Sequence, residues 1–147
     1  MPYKERQEYL KSEYGFTCSC SLCNAPESEQ AISDRHRMEM AALREDIDMA
    51  RGRRRWADAA RYASEALEKL SEAEVLTPGI LDYSLTPLYL DHYEELAGFH
   101  LKMGDVERAK IYGEKALEMT LYLRAVDSHD AQELYRFLEA LGESSST

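Results

Sequence analysis

From about residue 31 onward, apolar residues recur three or four positions apart, the spacing of an amphipathic helix. Met40, Leu43, Ile47 and Ala50 mark one face of a first long helix, which Gly52 is expected to close. A second helix is expected from about Arg54 to Ser71, with Trp56, Ala59, Ala63, Ala66, Leu67 and Leu70 on its inner face. A stripe of small alanines lets a neighbouring helix approach closely. Thr77-Pro78-Gly79 predicts a turn. Thr86-Pro87, a cap followed by proline at the first helical position, opens a third helix carrying Tyr89, His92, Tyr93, Leu96 and Phe99. Gly104-Asp105 breaks it and caps a fourth, with Val106, Ala109, Tyr112, Gly113, Ala116 and Leu117. Asp127-Ser128 opens a fifth, with Ala131, Leu134, Tyr135, Leu138 and Leu141, which Gly142 is expected to end. Near the N-terminus, Pro2 to Glu13 predicts a short helix with Tyr9 and Leu10 as its apolar positions. A helix so short needs a surface to pack on.

The helical part repeats itself. Trp56-x2-Ala59-x3-Ala63-x2-Ala66-Leu67-Glu68 recurs as Val106-x2-Ala109-x3-Gly113-x2-Ala116-Leu117-Glu118, each position shifted by 50. This pattern resembles the second helix of a tetratricopeptide repeat, and residues 93–120 fit that repeat best. The resemblance implies stacked antiparallel helix pairs with a concave face, although the usual period is about 34 residues.

Composition supports a folded helical chain. Of 147 residues 44% are hydrophobic, with only 7 Gly and 4 Pro, which favours long regular elements. The net charge of −10 disfavours direct binding to nucleic acid, whose phosphates it repels, and is compatible with a basic protein partner such as a histone tail. No run approaches the roughly 20 apolar residues of a membrane helix, and no apolar N-terminal stretch reads as a signal peptide. The expectation is a nuclear or cytoplasmic protein with no membrane partner. Arg51-Gly52-Arg53-Arg54-Arg55 is basic and is expected to serve as cationic charge at the end of a helix.

The candidate chemistry lies in Tyr14-Gly15-Phe16-Thr17-Cys18-Ser19-Cys20-Ser21-Leu22-Cys23, which holds all 3 cysteines of the chain. Three thiols cannot all pair as disulfides. Thiolates this close repel unless a cation lies among them, and C-x2-C is a common half-site for zinc. Cys18, Cys20 and Cys23 therefore read as zinc ligands, with free thiols in a reducing compartment as the bland alternative. A tetrahedral site needs a fourth ligand, from this chain or from another segment. His36 is the nearest internal candidate, although Arg35 and Arg37 beside it disfavour a metal. His92 and His100 lie eight apart on one helix face, too far to clamp one metal, and read as packing or groove-wall residues.

Arg6-Gln7-Glu8-Tyr9-Leu10, a short spacer, and Tyr14-Gly15-Phe16-x-Cys18-x-Cys20-x2-Cys23 together resemble the post-SET segment of SET-domain lysine methyltransferases. The helices that follow are similar to the C-terminal region of the SET- and MYND-domain branch. The resemblance implies that the three cysteines bind one zinc whose fourth ligand is a cysteine of the SET core. It implies that Tyr14 walls the target-lysine channel and that Phe16 packs on the adenine of S-adenosylmethionine. The family's Asn-His-x-Cys and Gly-x-Gly segments do not occur here, nor does its MYND cluster. The expected organisation is a post-SET-like segment over residues 1–24, a linker over 25–30, a tetratricopeptide-like domain over 31–142 and a disordered tail over 143–147. The expected function is the C-terminal portion of a methyltransferase, inactive without its core. The alternative is a zinc-stabilised module that binds a protein or peptide in its helical groove.

Overall fold

The computed structural model describes residues 2–21, 23–76 and 86–145, and within them the fold is all-helical. Its helices are α1 (Tyr3–Tyr14), α2 (Glu27–Gly52), α3 (Trp56–Leu76), α4 (Thr86–Lys102), α5 (Val106–Leu123) and α6 (His129–Ser145). The turn expected at Thr77-Pro78-Gly79 lies outside the described residues. From α2 to α6, each helix packs against the next in the chain.

Residues 25–30 do not form a linker, because α2 begins at Glu27. Pro26 holds φ at −53° just before the helix, and Glu27 and Glu29 lie in the first turn, where acidic groups suit the positive end of the helix dipole. The Pro26 carbonyl accepts from the backbone N–H groups of Glu29 and Gln30. At the other end of the chain, Gly142 has no positive φ, and α6 continues through it to Ser145. Glu143 to Ser145 are therefore helical and not a frayed tail.

The sequence repeat is a repeat of structure. In the turn between α2 and α3, the N–H groups of Arg53, Arg54 and Arg55 donate to the carbonyls of Met49, Arg51 and Ala50. Between α4 and α5, the N–H groups of Met103, Gly104 and Asp105 donate to Phe99, Leu101 and His100. Every donor and acceptor is displaced by the same 50 positions, since 103 − 53 = 50 and 99 − 49 = 50. Two helical hairpins whose turns share these three bonds thus follow one another. Each turn carries one left-handed residue, Arg54 at φ 56° and Gly104 at φ 79°. α2 ends at Gly52, as expected, but the left-handed residue comes two positions later.

A side chain at positive φ brings Cβ against the following carbonyl, a clash worth about 1 kcal/mol that glycine avoids. Arg54→Gly should therefore raise stability by about 0.5–1 kcal/mol, and Gly104→Arg should lower it by a similar amount. Thermal melts of the two variants check this, and equal melting temperatures would refute it.

The core forms where the first hairpin meets α4. Ile47 and Ala50 of α2, Ala59, Ala60 and Ala63 of α3, and Leu96 and Phe99 of α4 are buried together. Trp56, on the inner face of α3 as expected, is half-buried against this core and stacks on Phe99 with ring centres 6.1 Å apart. Across this core, Arg44 donates to Glu95 Oε1 at 2.6 Å and Arg51 approaches the same oxygen at 3.4 Å, joining α2 to α4. Burial pushes the Glu95 carboxyl up, but His92 and Arg44 outweigh it and hold the group below the usual carboxylate range.

The second hairpin packs through aromatic rings. Tyr89, Tyr93, Tyr112 and His100 form a stacked series with centre spacings of 6.2, 6.3 and 5.4 Å. His92 and His100 are both buried, in keeping with a packing role. A Cβ at Gly113 would stand 3.0 Å from both Leu138 and Phe137, so glycine lets α6 approach α5 where the first hairpin has Ala63.

Candidate metal centre

The cysteine loop sits between the end of α1 and the start of α2. Gly15, at φ 72°, ends α1 in a left-handed cap whose N–H donates to Lys11. No residue of α1 is fully buried, so polar bonds hold this helix in place. The Tyr3 N–H donates to both carboxylate oxygens of Asp34 at 3.0 Å. The Gln7 side chain grips Cys18 by both sides of its backbone, accepting from its N–H at 2.9 Å and donating to its carbonyl at 3.0 Å. From α2, Gln30 donates to the carbonyls of Cys23 and Ala25, each at 2.9 Å. Within the loop, Asn24 closes back on the carbonyls of Cys20 and Ser19.

These bonds gather the three cysteines. One sulfur from each of Cys18, Cys20 and Cys23 lies within 4.8 Å of the others. A zinc ion with Zn–S bonds of about 2.3 Å spaces its sulfurs about 3.8 Å apart, so the cluster needs to contract by no more than about 1 Å. The donor set thus fits a soft divalent ion, and it supplies three of the four positions of a tetrahedron. Cys18 is half-buried, Cys20 exposed and Cys23 buried. Burial, then hydrogen bonds and charge from Cys18 and Cys20, push the Cys23 thiol up to about 11. A metal ion removes that penalty by taking the proton's place.

Two arginines border the cluster. Burial and then Arg6 pull the Arg37 guanidinium below its ordinary value, while Asp34, Cys23 and Cys20 act the other way. Arg6 Nη1 is buried without a hydrogen bond. Metal-bound thiolates carry negative charge that both guanidiniums would offset. His36 does not join the sulfur group, although its Nδ1 is buried and makes no hydrogen bond. Tyr14, the last residue of α1, is 65% exposed and stands edge-on to Tyr9 at 6.0 Å, and Phe16, on the cysteine loop, is 50% exposed.

No protein-family model, no curated protein and no solved structure matches this chain. No helix among the described residues is long and apolar enough to cross a membrane.

Sequence reasoning missed Gln7 and Gln30. Gln7 reads as a polar residue of the short first helix and Gln30 as part of a linker, and only the fold shows that each amide reaches the cysteine loop. Removing such support from a metal ligand costs roughly 10–100-fold in affinity. Gln7→Met keeps the length of the side chain and loses both bonds, so it should weaken zinc binding about tenfold. Competition with a chromophoric chelator measures this, and wild-type affinity in the variant would count against the role.

Proposed function

We propose that this chain is the post-SET and C-terminal helical part of a SET-domain protein lysine methyltransferase. The reading is carried by the gathered sulfurs of Cys18, Cys20 and Cys23 on a loop that also presents Phe16 outward, next to the exposed Tyr14 at the end of α1. In this reading the cysteines hold one zinc, and a cysteine of the SET core completes it. The loop is then fixed against that core, with Tyr14 along the lysine channel and Phe16 against the adenine of S-adenosylmethionine, which supplies the methyl group. Phe16 offers an aromatic face and no polar group, so this chain does not hold the cofactor by itself. The thin, polar attachment of α1 supports the reading, since Tyr9 and Tyr14 remain open to cover. The helical hairpins form a tetratricopeptide-like array in this proposal, with a 50-residue period in place of the usual 34 or so. The array closes the substrate cleft or receives a protein such as a histone.

An antibody against residues 86–145, used on extract of the source cells, tests the proposal. The expected result is a polypeptide well above the 16.9 kDa of this chain, which methylates lysine and loses that activity in Tyr14→Ala. A sole species at the mass of this chain would overturn it.

One observation favours a second reading, a zinc-stabilised interaction module. The loop is already held by Gln7 and Gln30 of its own chain. Tight 1:1 zinc binding by this chain, lost in His36→Ala, would support that reading over the first.

A further inference from the structure

The two hairpins permit an internal comparison. Their turns close through the same hydrogen bonds, so the same residue types should suit both. The second turn reads Met103-Gly104-Asp105 and obeys the local rules. Glycine takes the left-handed position. Asp105 caps α5, its carboxylate accepting from the Arg108 N–H at 3.1 Å. Its negative charge also suits the positive end of the helix.

The first turn reads Arg53-Arg54-Arg55 and breaks each of these rules. Arg54 occupies the left-handed position, where a side chain clashes. Arg55 stands where Asp105 caps, and its guanidinium has no acceptor to offer. Three cations crowd the positive end of α3. Charge for the negative end of α2 is already supplied by Arg51, which is engaged with Glu95 and Asp48. The chain has 28 acidic residues, yet among the described residues the exposed side chains of Arg53, Arg54 and Arg55 pair with none. Lys102 adds a fourth cation beside them, 5.9 Å from the centre of the Trp56 ring. Residues that break local rules together, while their repeat counterparts obey them, mark a position kept for function.

We propose that the Arg53–Arg55 turn is a docking surface for a short acidic segment of a partner protein. Carboxylates of the partner supply the negative charge that Asp105 supplies in the second hairpin. The chemistry favours a short peptide over a long polyanion. The chain carries a net charge of −10, and Asp91 and Glu94 line the cavity that Arg51, Trp56 and Lys102 share. A nucleic acid or an anionic membrane would have to lie across that repulsive surface, whereas a few carboxylates need meet only the turn.

The test uses the full chain and a fluorescent peptide of ten glutamates, read by anisotropy at about 50 mM salt, where exposed charges are weakly screened. The expected result is binding that weakens as salt is raised. It should fall at least about tenfold in Arg53→Met/Arg54→Gly/Arg55→Asp, which installs the residues of the second turn. That variant should melt no lower than wild type, so misfolding cannot explain the loss. Arg53→Gln/Arg55→Gln, which adds no negative charge, should also weaken binding. No binding by wild type, or undiminished binding by either variant, would overturn the proposal. So would tighter binding to single-stranded RNA or to phosphatidylserine vesicles than to the peptide.

Discussion

Cys23→Ser is expected to weaken zinc binding at least about 100-fold, or about 2.8 kcal/mol at 1.4 kcal/mol per tenfold. Serine keeps the size of the side chain and exchanges a soft thiolate for a hard hydroxyl that stays protonated near neutral pH. Cys23 is the buried member of the cluster, 7% exposed, and Gln30 anchors its carbonyl, so the remaining sulfurs have little freedom to re-form a site without it. Zinc competition gives the affinity, and cobalt substitution should show the thiolate absorption of wild type disappear. The helical array should be indifferent, because no residue of the loop belongs to the buried core of α2, α3 and α4. Helical circular dichroism and the main unfolding transition should therefore match those of metal-free wild type. Unchanged zinc affinity in Cys23→Ser would remove the three-sulfur site.

Leu96→Ala should have the opposite signature. Leu96 is fully buried in α4, against α2 and α3. Removing a buried leucine loses its transfer free energy and leaves a cavity, typically about 2–5 kcal/mol in all. The surroundings limit collapse, because the α3 stripe facing it is made of alanines that have no side chain to swing inward. The expected loss is therefore about 3–4 kcal/mol, which lowers the melting temperature by roughly 10 °C in a domain of this size. Urea unfolding followed by circular dichroism measures it. A loss below about 1 kcal/mol would mean that the helices repack freely and that the core is less specific than its geometry indicates.

Much of the array was legible in the sequence, because it rests on short-range rules. The apolar spacing located the helices, and Thr86-Pro87 marked the start of α4. The alanine stripes revealed the 50-residue repeat whose turns proved to share three hydrogen bonds. The start of α2 was misread because Glu27 to Gln30 are polar, although Pro26 followed by acidic residues is itself a helix-start signal. Gly52 is the last residue of α2, as its type suggested, and Gly142 does not end α6; the left-handed position fell to Arg54, a residue with no propensity for it. Met38, Met49 and Met103 are exposed, since apolar character alone does not say which face of a helix is covered. At the candidate site the cysteine cluster was legible from spacing. The amides that hold it were not, because their partners come from other elements.

The length of α2 has a consequence for both ends of the molecule. Its 26 residues span about 39 Å, with the cysteine loop before its first turn and the arginines after its last. At physiological salt the screening length is about 8 Å, so the two ends are electrically invisible to one another. A partner seated on the arginines, as proposed, would stand too far away to crowd the cysteines. If both proposed sites are real, their charges therefore do not act on one another directly, and the helix sets the distance between them.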